Sequence, residues 1–240
     1  MIAPAKLILA LDVETFEEAR QIVDDLGDAV EIFKIGSQMF TALGPFVTRY
    51  LQSKGKKVFL DLKFHDIPNT VASAVKSAVS LSVSPAKDPH FAPLYMLTVH
   101  TVGGKEMLEA AARAAREHAK VLGVERPLIV GVTVLTSAAK EANLESLVLE
   151  RAKLAKQSGL DGVVASVEEA AMIRRELGPD FIIVTPGIRP ADTSVDDQKR
   201  VATPQKAIEQ GSNFLVVGRP ILQATSPRDA ALKILDDIKR

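Results

Sequence analysis

The stretch VFLDLKFHDIPNTV, Val58 to Val71, begins as a buried strand and then acquires charge. Asp61 and Lys63 are two residues apart, so on an extended strand their side chains point to one side, while Leu60, Leu62 and Phe64 point to the other. Asp66 follows three residues later. A lysine ammonium flanked by carboxylates is the arrangement of a proton donor, because anions nearby favour the cation. The same cation stabilises negative charge that develops on a reacting carbon.

Other apolar runs end the same way. LALD ends on Asp12, FKIG carries Lys34 near its end, and YMLTVH ends on His100. A single Asp–Lys pair reads equally well as a buried ion pair that only sets register. Two lysines and two or three aspartates converging at strand ends read as function, because burying charge costs on the order of several kcal/mol per ion before pairing offsets it. His100 taken alone is more often a satisfied structural residue. The four histidines, at 65, 90, 100 and 118, show no pair at metal-ligand spacing. No metal or cofactor is expected.

A second feature lies near the C-terminus. FLVVGRPI places Gly218 and Arg219 directly after an apolar run, and TPGIRPADTSVDDQKRVATP supplies Arg189 and Gln198 in a long polar loop with the character of a lid. Backbone N–H groups with an arginine fork bind phosphate. A lone Gly-Arg is more often a turn with a surface arginine. After the eighth strand of a barrel it becomes a phosphate grip.

The elements that position these groups follow from period. Eight short apolar runs recur: KLILALD, EIFKIG, KVFLDLK, YMLTVH, PLIVGVTVL, DGVVAS, FIIVTPG and NFLVVG. Between them lie helical patterns such as TFEEARQIVDDL and GKEMLEAAARAAREHAKVL, the latter with Met107, Leu108, Ala111, Ala112, Ala115 and Ala119 on one face. Thr203-Pro204 and Ser226-Pro227 read as helix starts, and Gly55, Gly159, Gly178 and Gly211 as helix stops. Eight strand–helix units predict a single-domain (β/α)8 TIM barrel over residues 1–240, with its active face at the C-terminal ends of the strands. A doubly wound sheet is the alternative, but LDVETFEEA lacks the glycines of its phosphate fingerprint. The segment Ser82 to Tyr95, with three prolines, is expected to be a loop on the opposite side with no catalytic role.

Composition removes other classes. The 240 residues carry 30 basic and 30 acidic side chains, so no general field attracts nucleic acid or an anionic membrane. There is no cysteine, which excludes thiolate catalysis and cysteine-held zinc. With no tryptophan and 5% aromatic residues, base-stacking platforms are not expected. The start lacks signal-peptide character and no run approaches a membrane span, so a cytoplasmic protein is expected. The residues alone reach a barrel enzyme that handles a small phosphorylated substrate by proton chemistry.

The pattern Asp61-x-Lys63-x-x-Asp66-Ile67-Pro68-x-Thr70 resembles the signature of the orotidine 5'-phosphate decarboxylase family. LALDV, FKIG, HTVGG, VTVLTS, TPGIRP, DDQKRVATP and VVGRPI fall in that family's order over nearly the whole chain. The D-x-K-x-x-D core is shared with sugar-phosphate decarboxylases of the same superfamily; the extensions are more specific. The resemblance implies decarboxylation of orotidine 5'-monophosphate to UMP, the last step of pyrimidine synthesis, without cofactor or metal. It implies that Lys63 protonates C6, that Asp61 lies beside the substrate carboxylate, and that Lys34 orients Asp61 and contacts the ribose held by Asp12. Thr136 and Ser137 would face the pyrimidine edge. Pro186 would line the substrate site, and Gln198, Arg189, Gly218 and Arg219 would grip phosphate. Asp66, Ile67 and Thr70 would reach into the neighbouring subunit's site, so a homodimer with shared sites is implied. The proline-rich Ser82–Tyr95 segment is longer than the family pattern.

Two other readings stand beside this one. A metal-dependent sugar-phosphate decarboxylase or epimerase on the same barrel needs acidic ligands on several strands, whereas the second strand offers Lys34 and has Glu31 only at its start. A catalytically dead, nucleotide-binding barrel is opposed by intact Asp61, Lys63 and Asp66.

Overall fold

Each of the eight apolar runs forms a parallel strand: β1 (Lys6–Ala10), β2 (Ile32–Gly36), β3 (Lys57–Phe64), β4 (Leu94–His100), β5 (Leu128–Val132), β6 (Gly162–Val164), β7 (Ile182–Thr185) and β8 (Phe214–Val217). They hydrogen-bond in sequence order and close into a barrel, with Lys6 of β1 opposite Phe214 of β8. Closure rules out the doubly wound alternative. The computed structural model describes residues 6–85, 87–135, 143–190 and 202–239.

Strand alternation sorts the side chains into two layers. Ile8, Ile32, Phe59, Met96, Val130 and Val184 point inward and form the barrel's inner cluster with their neighbours. Leu9, Phe33, Ile35, Leu60 and Leu97 point outward into a larger cluster beneath the helices. Burying a side chain such as Phe59, which is 1% exposed, contributes about 1.5–3 kcal/mol.

The helices are α1 (Phe16–Leu26), α2 (Ser37–Leu43), α3 (Pro45–Ser53), α4 (Pro68–Ser80), α5 (Gly104–Leu122), α6 (Leu144–Gln157), α7 (Val167–Leu177), α8 (Pro204–Glu209), α9 (Arg219–Leu222) and α10 (Pro227–Lys239). Their starts follow local chemistry. Thr15 closes a capping box with Glu18 on α1, and the Thr203 hydroxyl accepts the Lys206 N–H with Pro204 in the first turn of α8. Asp229 N–H donates to the Ser226 hydroxyl at the start of α10. Gly55, Gly159, Gly178 and Gly211 follow helices with φ between +70° and +90°, a region that L side chains rarely adopt.

The proline-rich loop leaves α4 after Ser80 and enters β4 at Leu94, one residue before the expected start. Ala92 N–H donates to the Gln52 carbonyl and Leu94 N–H to the Ser82 hydroxyl. The loop is thereby pinned at the N-terminal mouth of the barrel, away from the charged strand ends. No helix among the described residues is long and apolar enough to cross a membrane.

Candidate active site

Strand register explains how the charges meet. Ala10, Lys34 and Phe59 lie in one row across β1, β2 and β3, and Gly36 lies beside Asp61 in the row above. Lys34 therefore roots one row deeper than the carboxylates it serves. Its side chain rises past Gly36, where a β-carbon would sit 3.1 Å from Lys34 Nζ and 3.4 Å from Asp12 Oδ1. Lys34 Nζ reaches Asp12 Oδ1 at 3.1 Å and Asp61 Oδ2 at 3.8 Å. The same Asp61 oxygen accepts from Lys63 Nζ at 2.9 Å.

The result is a line of alternating charge, Asp12–Lys34–Asp61–Lys63, across three strands. Its centre is shielded: the Lys34 and Asp61 side chains are 12% and 13% exposed, while Lys63 and Asp12 at the ends are 36% and 48% exposed. Attraction is strongest where water is excluded. The open ends remain available to a substrate.

The end of β3 is irregular. Leu60 pairs with Leu97 and Phe64 with Val99, so Asp61, Leu62 and Lys63 together face Thr98 alone. Such a bulge re-aims side chains beside a site. Lys63 takes φ +50°, a left-handed conformation that costs a non-glycine residue about 1–3 kcal/mol. Thr98 is fully buried; its Oγ1 accepts the Lys63 N–H at 2.8 Å and donates to Asp61 Oδ1 at 3.0 Å.

His100 ends β4 with its ring 5.7 Å from that of His65, centroid to centroid. Burial, and then the nearby His65, Arg151 and Lys63, hold the His100 imidazole below its ordinary range. It therefore lies near the lysine end of the line with the neutral form of its ring favoured.

Two cavities open on this face. One is lined by Lys34, Asp61 and Lys63 on one side and by Val132, Val164 and Val184 on the other, an apolar wall suited to a flat ring. The second is lined by Asp12, Lys34, Arg189, Gly218 and Arg219. The cavities share Lys34, Pro186 and Val216, so they form one continuous trough. Arg189 is only 7% exposed; its N–H donates to the Ala202 carbonyl at 2.9 Å, where Ile188 and Ala202 form a parallel bridge across the base of the long loop. Arg219 begins α9 directly after Gly218.

Most of the residues singled out in the sequence therefore converge: Asp12, Lys34, Asp61, Lys63, Pro186, Arg189, Gly218 and Arg219 all line the trough. Asp66, Ile67 and Thr70 do not; they are exposed on the outer rim within this chain. The Asp66 carboxylate accepts its neighbour Ile67 N–H at 2.6 Å. Among the described residues Lys63 forms an ion pair with Asp61 and none with Asp66. Thr136, Ser137 and Gln198 lie outside the described residues. No group of three or more His, Asp or Glu among the described residues is placed to hold a metal ion.

Three features escaped the sequence reading. Thr98 is a hydroxyl on the inward face of β4, a visible signal once the strand's parity is known. Gly36 looks like an ordinary turn glycine until register places it beside Asp61. The proximity of His65 and His100 is tertiary and leaves no mark in spacing.

Comparison with other proteins agrees with this geometry. The profile of the orotidine 5'-phosphate decarboxylase / HUMPS family matches residues 5–234. A protein of Moorella thermoacetica named orotidine 5'-phosphate decarboxylase is 46% identical over 248 residues, covering 100% of this chain and 94% of that one. One of the same name from Carboxydothermus hydrogenoformans is 47% identical over 242 residues, covering 98% and 96%. The crystal structure of orotidine 5'-phosphate decarboxylase from Lactobacillus acidophilus superposes with a TM-score of 0.81 at 34% identity, covering 98% of this chain and 100% of that one. With a matched profile over almost its entire length and full-length relatives at this identity, the chain belongs to the orotidine 5'-phosphate decarboxylase / HUMPS family.

Proposed function

We propose that Lys63 is the proton donor in the decarboxylation of orotidine 5'-monophosphate to uridine 5'-monophosphate, the closing step of pyrimidine nucleotide synthesis. The activity follows from family membership and from relatives of that name at 46–47% identity over essentially the whole chain. The observation that carries the residue assignment is the position of Lys63 Nζ, 2.9 Å from Asp61, in a cavity that runs on into the one lined by Arg189 and Arg219.

In this reading the phosphate sits at Gly218, Arg219 and Arg189, with Gln198 joining from the long loop, and fixes the nucleotide far from the reacting carbon. Asp12 and Lys34 hold the ribose. The pyrimidine lies against the valine wall beside Pro186, with Thr136 and Ser137 at its edge and its carboxylate near Asp61. The bond from C6 to the carboxylate carbon breaks and carbon dioxide leaves. The electron pair left on C6 takes a proton from the Lys63 ammonium, and the resulting amine regains its proton from solvent. The ammonium also stabilises the charge as it develops, so stabilisation is greatest in the transition state. Phosphate contacts remote from C6 supply binding energy that lowers the barrier at the reacting carbon.

The reading includes a cytoplasmic homodimer in which the whole chain, 1–240, acts as one domain. Three consecutive strand-end loops each present an exposed aliphatic side chain on the rim: Ile67 at 66%, Val102 at 51% and Leu135 at 47% exposure. This exposure of aliphatic side chains beside a polar cleft has the character of an interface. It supports Asp66, Ile67 and Thr70 serving the neighbouring subunit's site and completing an Asp–Lys–Asp array around Lys63.

The test is the loss of ultraviolet absorbance from orotidine 5'-monophosphate with and without a chelator. The expected outcome is turnover at the same rate in both. Turnover that disappears with chelator and returns with a divalent cation would point to the metal-dependent class instead.

A further inference from the structure

We propose that Thr98 is a positioning residue for this reaction, acting through Asp61 and Lys63 without touching substrate. The inference rests on the assignment of Lys63 as proton donor. Between the pairs Leu60–Leu97 and Phe64–Val99, β3 has three residues and β4 has one. Regular pairing is impossible over that interval, and the N–H of Lys63 loses its partner on the β4 backbone. Lys63 turns to φ +50° there. Thr98 Oγ1 takes the place of the missing backbone acceptor, at 2.8 Å from Lys63 N. The hydroxyl has one proton, and it is directed at Asp61 Oδ1, 3.0 Å away.

The contacts close a ring. Lys63 N donates to Thr98, Thr98 donates to one oxygen of Asp61, and the other oxygen accepts from Lys63 Nζ at 2.9 Å. One hydroxyl thus fixes both ends of the Asp61–Lys63 unit: the carboxylate plane and the strained backbone from which the lysine side chain leaves. Thr98 is 0% exposed and lies on the inward face of β4, two residues after Met96. A buried polar group at such a site is retained when its bonds organise its neighbours. A small displacement of a proton donor is enough to cost rate, because transfer needs the donor within hydrogen-bonding reach of its target.

The specific claim is that the hydroxyl matters, not the volume. Thr98→Val keeps the shape and removes both bonds; Thr98→Ser keeps both bonds and removes a methyl group. For Thr98→Val we expect kcat for orotidine 5'-monophosphate to fall by about 10- to 100-fold, with KM and UMP affinity within about threefold, because the phosphate and ribose contacts are untouched. Thr98→Ser is expected to retain kcat within about threefold. Wild-type kcat in a folded Thr98→Val protein would overturn the proposal. So would a Thr98→Ser protein as slow as Thr98→Val, or a loss that appears equally in KM and UMP affinity, since each marks a packing role. Lys63→Ala run alongside separates the two ideas. If Lys63→Ala turns over normally, the donor assignment fails; if it is inactive while Thr98→Val is unaffected, only the role of Thr98 fails.

Discussion

At the residue scale, the site is built on charges that alternate, with one histidine beside them whose neutral form burial favours. Asp61 accepts from Lys63 and lies near Lys34, so each carboxylate in the line faces a cation. His100 is pushed below its ordinary value of 6.5 by burial first, and then by His65, Arg151 and Lys63. The sign for stability follows from proton counting. Below pH 6.5 the unfolded histidine binds a proton that the folded one still refuses, so stability falls with acidification until the lower folded value is passed. The expected outcome is that the difference in melting temperature between His100→Asn and wild type grows in favour of the variant as pH drops below 6.5. Equal shifts at every pH would remove His100 from the account. The aspartates and lysines at the strand ends were legible in the sequence because charge at the end of an apolar run is costly and therefore informative. The partners of His100 were not, since they come from separate elements: Lys63 from β3, His65 from the turn after it and Arg151 from α6.

At the element scale, the period of apolar residues was enough to place all eight strands and the fully helical stretch Gly104–Leu122. Strand alternation also put Asp61 and Lys63 on one side, without deciding whether that side faced the barrel interior or the helices. It did not reveal the bulge that sets Lys63 at φ +50°, because the pattern of apolar residues in KVFLDLKF is the same for a regular strand. Nor did it reveal Gly36, whose role is set by its register beside Asp61. Replacing Gly36 with Ala places a methyl group 3.1 Å from Lys34 Nζ, and a flexible ammonium moves more readily than a barrel strand. Gly36→Ala is therefore expected to change melting temperature little. It should lower kcat/KM by about tenfold, an effect of about 1.4 kcal/mol on the transition state. A large fall in melting temperature with unchanged kinetics would show that the strand, not Lys34, absorbs the contact.

At the scale of the whole molecule, one chain assembles the trough but leaves Asp66, Ile67 and Thr70 on its outer rim. The sequence motif D-x-K-x-x-D looks contiguous, yet the turn after β3 carries its last member away from the first two. Contiguity in sequence says nothing about which subunit's site a residue serves, and for that reason the assignment of Asp66 came from resemblance rather than from physics. Shared sites have a specific consequence. Mixing inactive Lys63→Ala with inactive Asp66→Ala under verified subunit exchange gives mixed dimers with one site built wholly from intact residues. Half of the dimers are then mixed, so about a quarter of wild-type activity should return; no recovery would mean that each chain uses its own Asp66. The most direct test of the central claim is a single comparison: turnover of orotidine 5'-monophosphate by Lys63→Ala against wild type, with UMP affinity measured on the same samples. Loss of a proton donor predicts turnover lower by a factor of at least about 10² to 10⁴ with UMP still bound. Wild-type turnover by Lys63→Ala would contradict the account.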